Sequence, residues 1–244
     1  MLVDNKFLYI SLPRCASTSF LVTCVKNGID LKHIDDNVDN QISLIDKALD
    51  AEELASSLTH PHECCNALLH RFGNKYDIIA VKRNRYKRFI SCWAHILHEI
   101  LNYNEKDIYE KLKLFNEEHL LEHTSENLNS IESTYEYVYY FLNKHNIIAS
   151  NEASQKYISN MLRIQFWPMS SWHNNNPNII WFDFDKLYEL EEWVSKKLQK
   201  PFKLEKTNSS KFIECNLKLT DNFIKKYDEI YDVYDFNKSK KTLI

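Results

Sequence analysis

Glycine is nearly missing from this chain. Two glycines, Gly28 and Gly73, occur in 244 residues, where average usage would give roughly seventeen. So few, so far apart, exclude a GxGxxG dinucleotide loop, a GxxxxGK[ST] phosphate loop and a GxSxG nucleophile elbow. Long apolar runs are missing too: none approaches the roughly 18 residues of a membrane span. The chain opens Met1-Leu2-Val3-Asp4-Asn5-Lys6, and no apolar stretch of about 7–15 residues follows a basic start, so no signal peptide is expected. Six cysteines, at positions 15, 24, 64, 65, 92 and 215, contain no CxxC pair, which excludes the zinc-ribbon and thioredoxin patterns. Without a secretory signal they are expected to be reduced thiols of a cytoplasmic protein. A net charge of −3 leaves no global basic field to recruit nucleic acid or a membrane.

What is present is an alternation of β-forming runs and amphipathic stretches. Residues 7–12 (FLYISL), 78–81 (IIAV) and 179–182 (IIWF) are short apolar runs that read as buried strands. Helices are predicted over residues 20–26, 62–72, 86–101, 187–198 and 223–233, with Gly73 stopping the second. Residues 105–145 read as mostly helical. The turn Asn174-Asn175-Asn176-Pro177 leads into the third strand. Strands alternating with helices predict an α/β fold with a parallel sheet and helices on both faces. No repeat, low-complexity tract or linker divides residues 1–244, so one domain is expected. In such sheets, ligands bind beyond the carboxyl ends of the strands.

The first strand ends in a segment suited to anions. Pro13-Arg14-Cys15-Ala16-Ser17-Thr18-Ser19-Phe20 lies between strand and helix. A helix start offers unpaired N–H groups and the positive end of the dipole. Ser17, Thr18 and Ser19 add hydroxyls, and Arg14 adds a guanidinium fork that suits phosphate or sulfate. Small side chains at Cys15, Ala16 and Ser17 let an anion approach the backbone, forming a phosphate cradle built without glycine. Ser and Thr are also ordinary N-caps, so this loop alone does not prove a site.

A second basic segment follows the second strand. Five of the seven residues 82–88 (KRNRYKR) are Lys or Arg. Arg83 stands at the strand's carboxyl end. Arg88 and Ser91 are three apart on the next helix and share a face, so all three are expected to converge on one anion. A solvated basic face or an RNA patch is the plainer reading, but the chain is acidic overall, and the segment lacks obvious interleaved aromatics for base stacking.

Two anion sites, each at a strand end and helix start, suggest a nucleotide with phosphates at both ends. Here the chain resembles the sulfotransferases that use 3′-phosphoadenosine 5′-phosphosulfate (PAPS), most of all small carbohydrate 2-O-sulfotransferases. LPRCASTSF resembles that family's 5′-phosphosulfate loop. The spacing Arg83-x4-Arg88-x2-Ser91 resembles its 3′-phosphate motif. Residues 62–77 resemble a family segment that begins with His and ends in Gly-Asn-Lys-aromatic-Asp. Asn208-Ser209-Ser210-Lys211 resembles an Asn-x-Ser loop that closes over the nucleotide, and the YDVYDF run at 231–236 resembles the family's ending.

The resemblance implies a P-loop-type three-layer fold with a central, mainly parallel sheet flanked by helices. It implies a sulfotransferase that moves a sulfuryl group from PAPS to a hydroxyl of a small-molecule or saccharide acceptor. Residues 14–19, Arg83, Arg88, Ser91, Asn208, Ser210 and Lys211 would hold the co-substrate, with no metal. Arg14, standing where many relatives have Lys, would stabilise charge but is a poor proton donor. His62 is the expected general base, with His60 in reserve.

Other readings compete with it. One is a nucleotide- or RNA-binding module without catalysis, acting through residues 82–88. Another is a zinc hydrolase using the HxxEH pattern at His119 and His123, for which no third ligand is evident. A kinase-like phosphotransferase is opposed by the missing phosphate-loop lysine and glycines. Neither nucleic acid nor membrane is an expected partner, and the sequence does not speak to oligomeric state.

Overall fold

The structure is a computed structural model that describes residues 1–32, 64–96, 110, 172–174, 176–205, 221 and 224–225. The chain divides into two compact units. The first comprises Met1–Asn84 and Trp172–Ser209, the second Arg85–Ser171 and Ser210–Ile244.

The first unit carries a five-stranded mixed sheet. Its strands are β1 (Leu2–Val3), β2 (Phe7–Ile10), β3 (Leu31–Lys32), β4 (Asp77–Lys82) and β5 (Ile179–Asp183), in the order β3-β1-β2-β4-β5. The chain is thus α/β, and β2, β4 and β5 run parallel, pairing Ile10 with Ala80 and Lys82 with Asp183. The sequence predicts these three strands and a parallel sheet. The correction lies at one edge, where β1 pairs antiparallel with both β2 and β3.

At that edge Asp4, Asn5 and Lys6 connect β1 to β2, whose register pairs Val3 with Phe7. Lys6 N donates to Val3 O at 2.8 Å, and Asp4 and Asn5 have φ of 48° and 52°. Positive φ at both central positions is the type I′ geometry whose twist matches a hairpin. Asp and Asn tolerate it better than other non-glycine residues.

All four residues of β2 and the four central residues of β4 are buried, as expected of inner parallel strands covered on both faces. β5 ends the sheet among the described residues, and its Ile180 is 37% exposed. Helix α1 (Ser17–Lys26) buries Phe20, Leu21, Val22, Thr23 and Cys24. Phe20 stacks on Tyr9 of β2, with centroids 4.0 Å apart and planes 4° from parallel, and also touches Phe202. Helix α2 (Cys65–Phe72) precedes β4. Helix α4 (Leu187–Leu198) buries Leu190, Val194 and Leu198, a stripe at i, i+4 and i+8. From the same helix, Trp193 packs its ring edge-on to Phe7 and Phe182. Such aromatic pairs add about 0.5–1.5 kcal/mol each beyond the area they bury.

In the second unit, helix α3 (Arg85–His95) buries Arg88, Phe89, Ser91, Cys92, Trp93 and Ala94. Among the described residues no helix is long and apolar enough to cross a membrane.

Candidate functional site: the strand-end loop and Arg83

The predicted first helix begins at residue 20, but α1 starts three residues earlier, at Ser17. Ser17, Thr18 and Ser19 therefore form its first turn rather than a preceding loop. The N-cap is Ala16, whose side chain cannot cap and which adopts the left-handed conformation, φ 62° and ψ 14°. Arg14 is also left-handed, at φ 61°. Neither residue type favours that region, so contacts from the surrounding protein must impose it.

Those contacts fall on the loop's carbonyls. Leu12 O accepts from Cys15 N at 3.2 Å, and Ala16 O from Phe20 N at 2.9 Å. Arg14 O accepts from Arg83 Nη1 at 3.1 Å. Cys15 O accepts from the Tyr9 hydroxyl at 3.5 Å. Burial pushes the Tyr9 phenol well above its ordinary pKa, so it remains a protonated donor.

No peptide bond in the described residues is cis. In a planar trans peptide the N–H points opposite the preceding C=O. Because Cys15 O faces Tyr9, the Ala16 N–H faces away from the sheet core. Because Ala16 O runs along the helix, the Ser17 N–H points out of its start. Successive N–H groups that turn to one side of the backbone make a concavity of the kind that binds anions. The first turn of α1 contains no acidic side chain, so its own residues do not offset the positive end of the helix dipole.

Arg83 is brought to the loop by strand pairing. β2 and β4 are parallel neighbours, so the residues that follow them emerge at one edge. Arg83 is half-buried, and its guanidinium carbon lies 4.3 Å from the centroid of the Phe184 ring. Phe184 opens a 3-10 turn (Phe184–Lys186), which Asp183 Oδ1 pins by accepting from Asp185 N at 2.9 Å. Arg14, Arg83 and the first turn of α1 thus share the carboxyl edge of the sheet. Phe184 went unrecognised in the sequence, because only the pairing of Lys82 with Asp183 reveals that it adjoins Arg83.

Arg88 and Ser91 lie on α3 in the second unit, 5% and 1% exposed. They share a helix face as expected. A guanidinium buried as deeply as Arg88 needs partners that replace its lost water.

His60, His62, Asn208, Ser210, Lys211, His119 and His123 lie outside the described residues. The helix expected from residue 62 starts instead at Cys65, after Cys64 in an extended N-cap conformation. Its cap comes from elsewhere, since Asn174 Oδ1 accepts from Asn66 N at 2.9 Å; beside it, Asn176 Nδ2 donates to the Cys65 side-chain sulfur at 3.4 Å. The chain leading toward Asn208 is tied to α1. Glu205 N donates to Thr23 Oγ1 at 2.8 Å, Thr23 donates on to Ser19 O at 2.7 Å, and Lys26 pairs with Glu205.

Chemically, this edge offers outward amides, hydroxyls and two guanidinium groups, a set that recognises a phosphate or sulfate oxyanion. No group of three or more His, Cys, Asp or Glu able to hold a metal occurs among the described residues. Comparison of the chain with protein-family models, with curated proteins and with solved structures finds no match.

Proposed function

We propose that the protein is a sulfotransferase that moves the sulfuryl group of PAPS to a hydroxyl of an acceptor, a carbohydrate by preference. The observation that carries this reading is the strand-end loop, whose carbonyls are taken up by Tyr9, Arg83 and α1 and whose amides are thereby turned outward. Such a loop suits the 5′-phosphosulfate. The resemblance of residues 12–20 and 83–91 to the family's two nucleotide motifs supports it, as does a parallel sheet core. A P-loop-type three-layer architecture belongs to the same proposal.

The donors present fit such a group, since a sulfuryl ester and its bridging phosphate need only hydrogen bonds and positive charge. The acceptor oxygen attacks sulfur in line, and the bond from sulfur to the bridging phosphate oxygen breaks. The products are a sulfate ester and adenosine 3′,5′-bisphosphate. Arg14, with the amides of Ala16 and Ser17, stabilises charge on the departing phosphate and the equatorial sulfuryl oxygens. Positioning and electrostatics dominate, as in phosphoryl transfer. The acceptor's proton goes to the imidazole of His62, a base worth about 10²–10⁴-fold. Arg83, Arg88 and Ser91 are assigned to the 3′-phosphate, and Asn208, Ser210 and Lys211 to closure over the nucleotide.

Calorimetric titration with adenosine 3′,5′-bisphosphate tests the proposal, with 5′-AMP and ATP–Mg²⁺ as comparisons. Tight binding of the bisphosphate alone, lost in Arg14→Ala and Arg83→Ala, is the expected result. Equal binding of all three nucleotides, or of none, contradicts it and reassigns residues 82–88 to a surface patch or an RNA contact.

A further inference from the structure

We propose that Phe184 is a positioning residue for the anion site, its ring holding the Arg83 guanidinium where it can bind the Arg14 carbonyl. The proposal rests on the reading of the loop as the anion site and extends it to a residue outside both sequence motifs. Without glycine, this loop must be held in its left-handed turns by its surroundings. Arg83 Nη1, 3.1 Å from Arg14 O, is one such hold, and it acts on a residue whose φ is 61°.

A long side chain at a strand end has many rotamers, and whatever narrows those of Arg83 helps to hold the loop. The Phe184 ring is one such restraint, 4.3 Å from the guanidinium carbon. A ring face attracts a guanidinium and restricts its plane. Backbone in turn places Phe184. Phe184 directly follows Asp183, which is paired in register with Lys82, and the Asp183 carboxylate locks the turn that begins at Phe184. The order of support runs from sheet register to Phe184, to Arg83, to the Arg14 carbonyl, and so to the amides that face an anionic oxygen.

The test uses the full chain with Phe184→Leu, Phe184→Tyr, Arg83→Lys and the Phe184→Leu/Arg83→Lys double variant. The first readout needs no ligand: the ¹⁵N-resolved Nε–H resonance of Arg83. A ring current should shift it in the wild type and in Phe184→Tyr, and the shift should vanish in Phe184→Leu. The second readout is affinity for adenosine 3′,5′-bisphosphate. Phe184→Leu should weaken it about tenfold, Phe184→Tyr should keep it within about twofold, and the double variant should be no weaker than Arg83→Lys alone.

A lower melting temperature in Phe184→Leu with the Arg83 resonance and affinity unmoved would overturn the proposal. Additive losses in the double variant would overturn it as well. If the Arg83 resonance responds as stated while the wild type ignores the nucleotide, the nucleotide reading fails and the bracing of Arg83 by Phe184 stands.

Discussion

Replacing Ala16 with glycine should make this protein more stable, against the usual direction of such a change. Ala16 caps α1 with φ 62°, where an L-residue pays about 1–2 kcal/mol for the crowding of its Cβ. Glycine pays nothing there, but its unfolded chain has more freedom, which returns about 0.4–1 kcal/mol. The difference is a net gain of about 0.5–1 kcal/mol. For a chain of this size, about 2–4 °C accompanies each kcal/mol, so the melting temperature should rise by about 1–4 °C. Scanning calorimetry of Ala16→Gly, Ala16→Val and Ala67→Gly gives the comparison. Ala67 lies inside α2, where glycine costs about 1 kcal/mol and should lower the melting temperature. Ala16→Val should also melt lower, because a β-branched residue fits the left-handed region worst. If Ala16→Gly melts as far below the wild type as Ala67→Gly does, Ala16 is not left-handed and the loop geometry collapses with it.

Other consequences can be checked on the same protein. Tyr9→Phe removes the donor to Cys15 O, a long bond at 3.5 Å; a cost of about 0.5–1 kcal/mol is expected in denaturant unfolding, with weaker bisphosphate binding if the Cys15 carbonyl orients the Ala16 amide. Asn174→Ala deprives α2 of the cap on Asn66 N and should cost about 1 kcal/mol by the same assay, while the bisphosphate affinity stays as it was. Burial lowers the pKa of His173, so the folded state takes up the imidazole proton at lower pH than the unfolded chain does. The unfolded chain takes up that proton as pH falls through the ordinary imidazole range, so the stability it contributes is present above that range and lost below it. Melting temperatures from about pH 7.5 down to about pH 5 should therefore fall more steeply in the wild type than in His173→Gln.

The parallel core was legible because its strands are unbroken apolar runs, and α4 matches its expected span because Leu190, Val194 and Leu198 repeat at helical spacing. The antiparallel edge was not, since β1 and β3 have two residues each, too few to show a period. Its one signal was Asp4-Asn5, a pair suited to a type I′ turn but without the glycine that usually announces one. The start of α2 was not legible, because the side chain that caps it, Asn174, is more than a hundred positions away in sequence. For the site, residue types identified Arg14, Ser17 and Arg83. They could not show that Arg14 and Ala16 turn left-handed, because Arg and Ala carry no preference for that region. Tertiary hydrogen bonds from Tyr9 and Arg83 fall on the intervening carbonyls. Phe184 depended on strand register, which is set across the sheet rather than along the chain.

The most direct test of the central claim is a ¹⁵N–¹H titration of the full chain with adenosine 3′,5′-bisphosphate, following the backbone amides of Ala16, Ser17 and Thr18. If these amides grip the nucleotide's 5′-phosphate, their protons should move downfield together and saturate with a single affinity, while 5′-AMP moves them only at much higher concentration. Amides of residues 16–18 that stay in place, with shifts confined to residues 82–88 or absent altogether, would contradict the account.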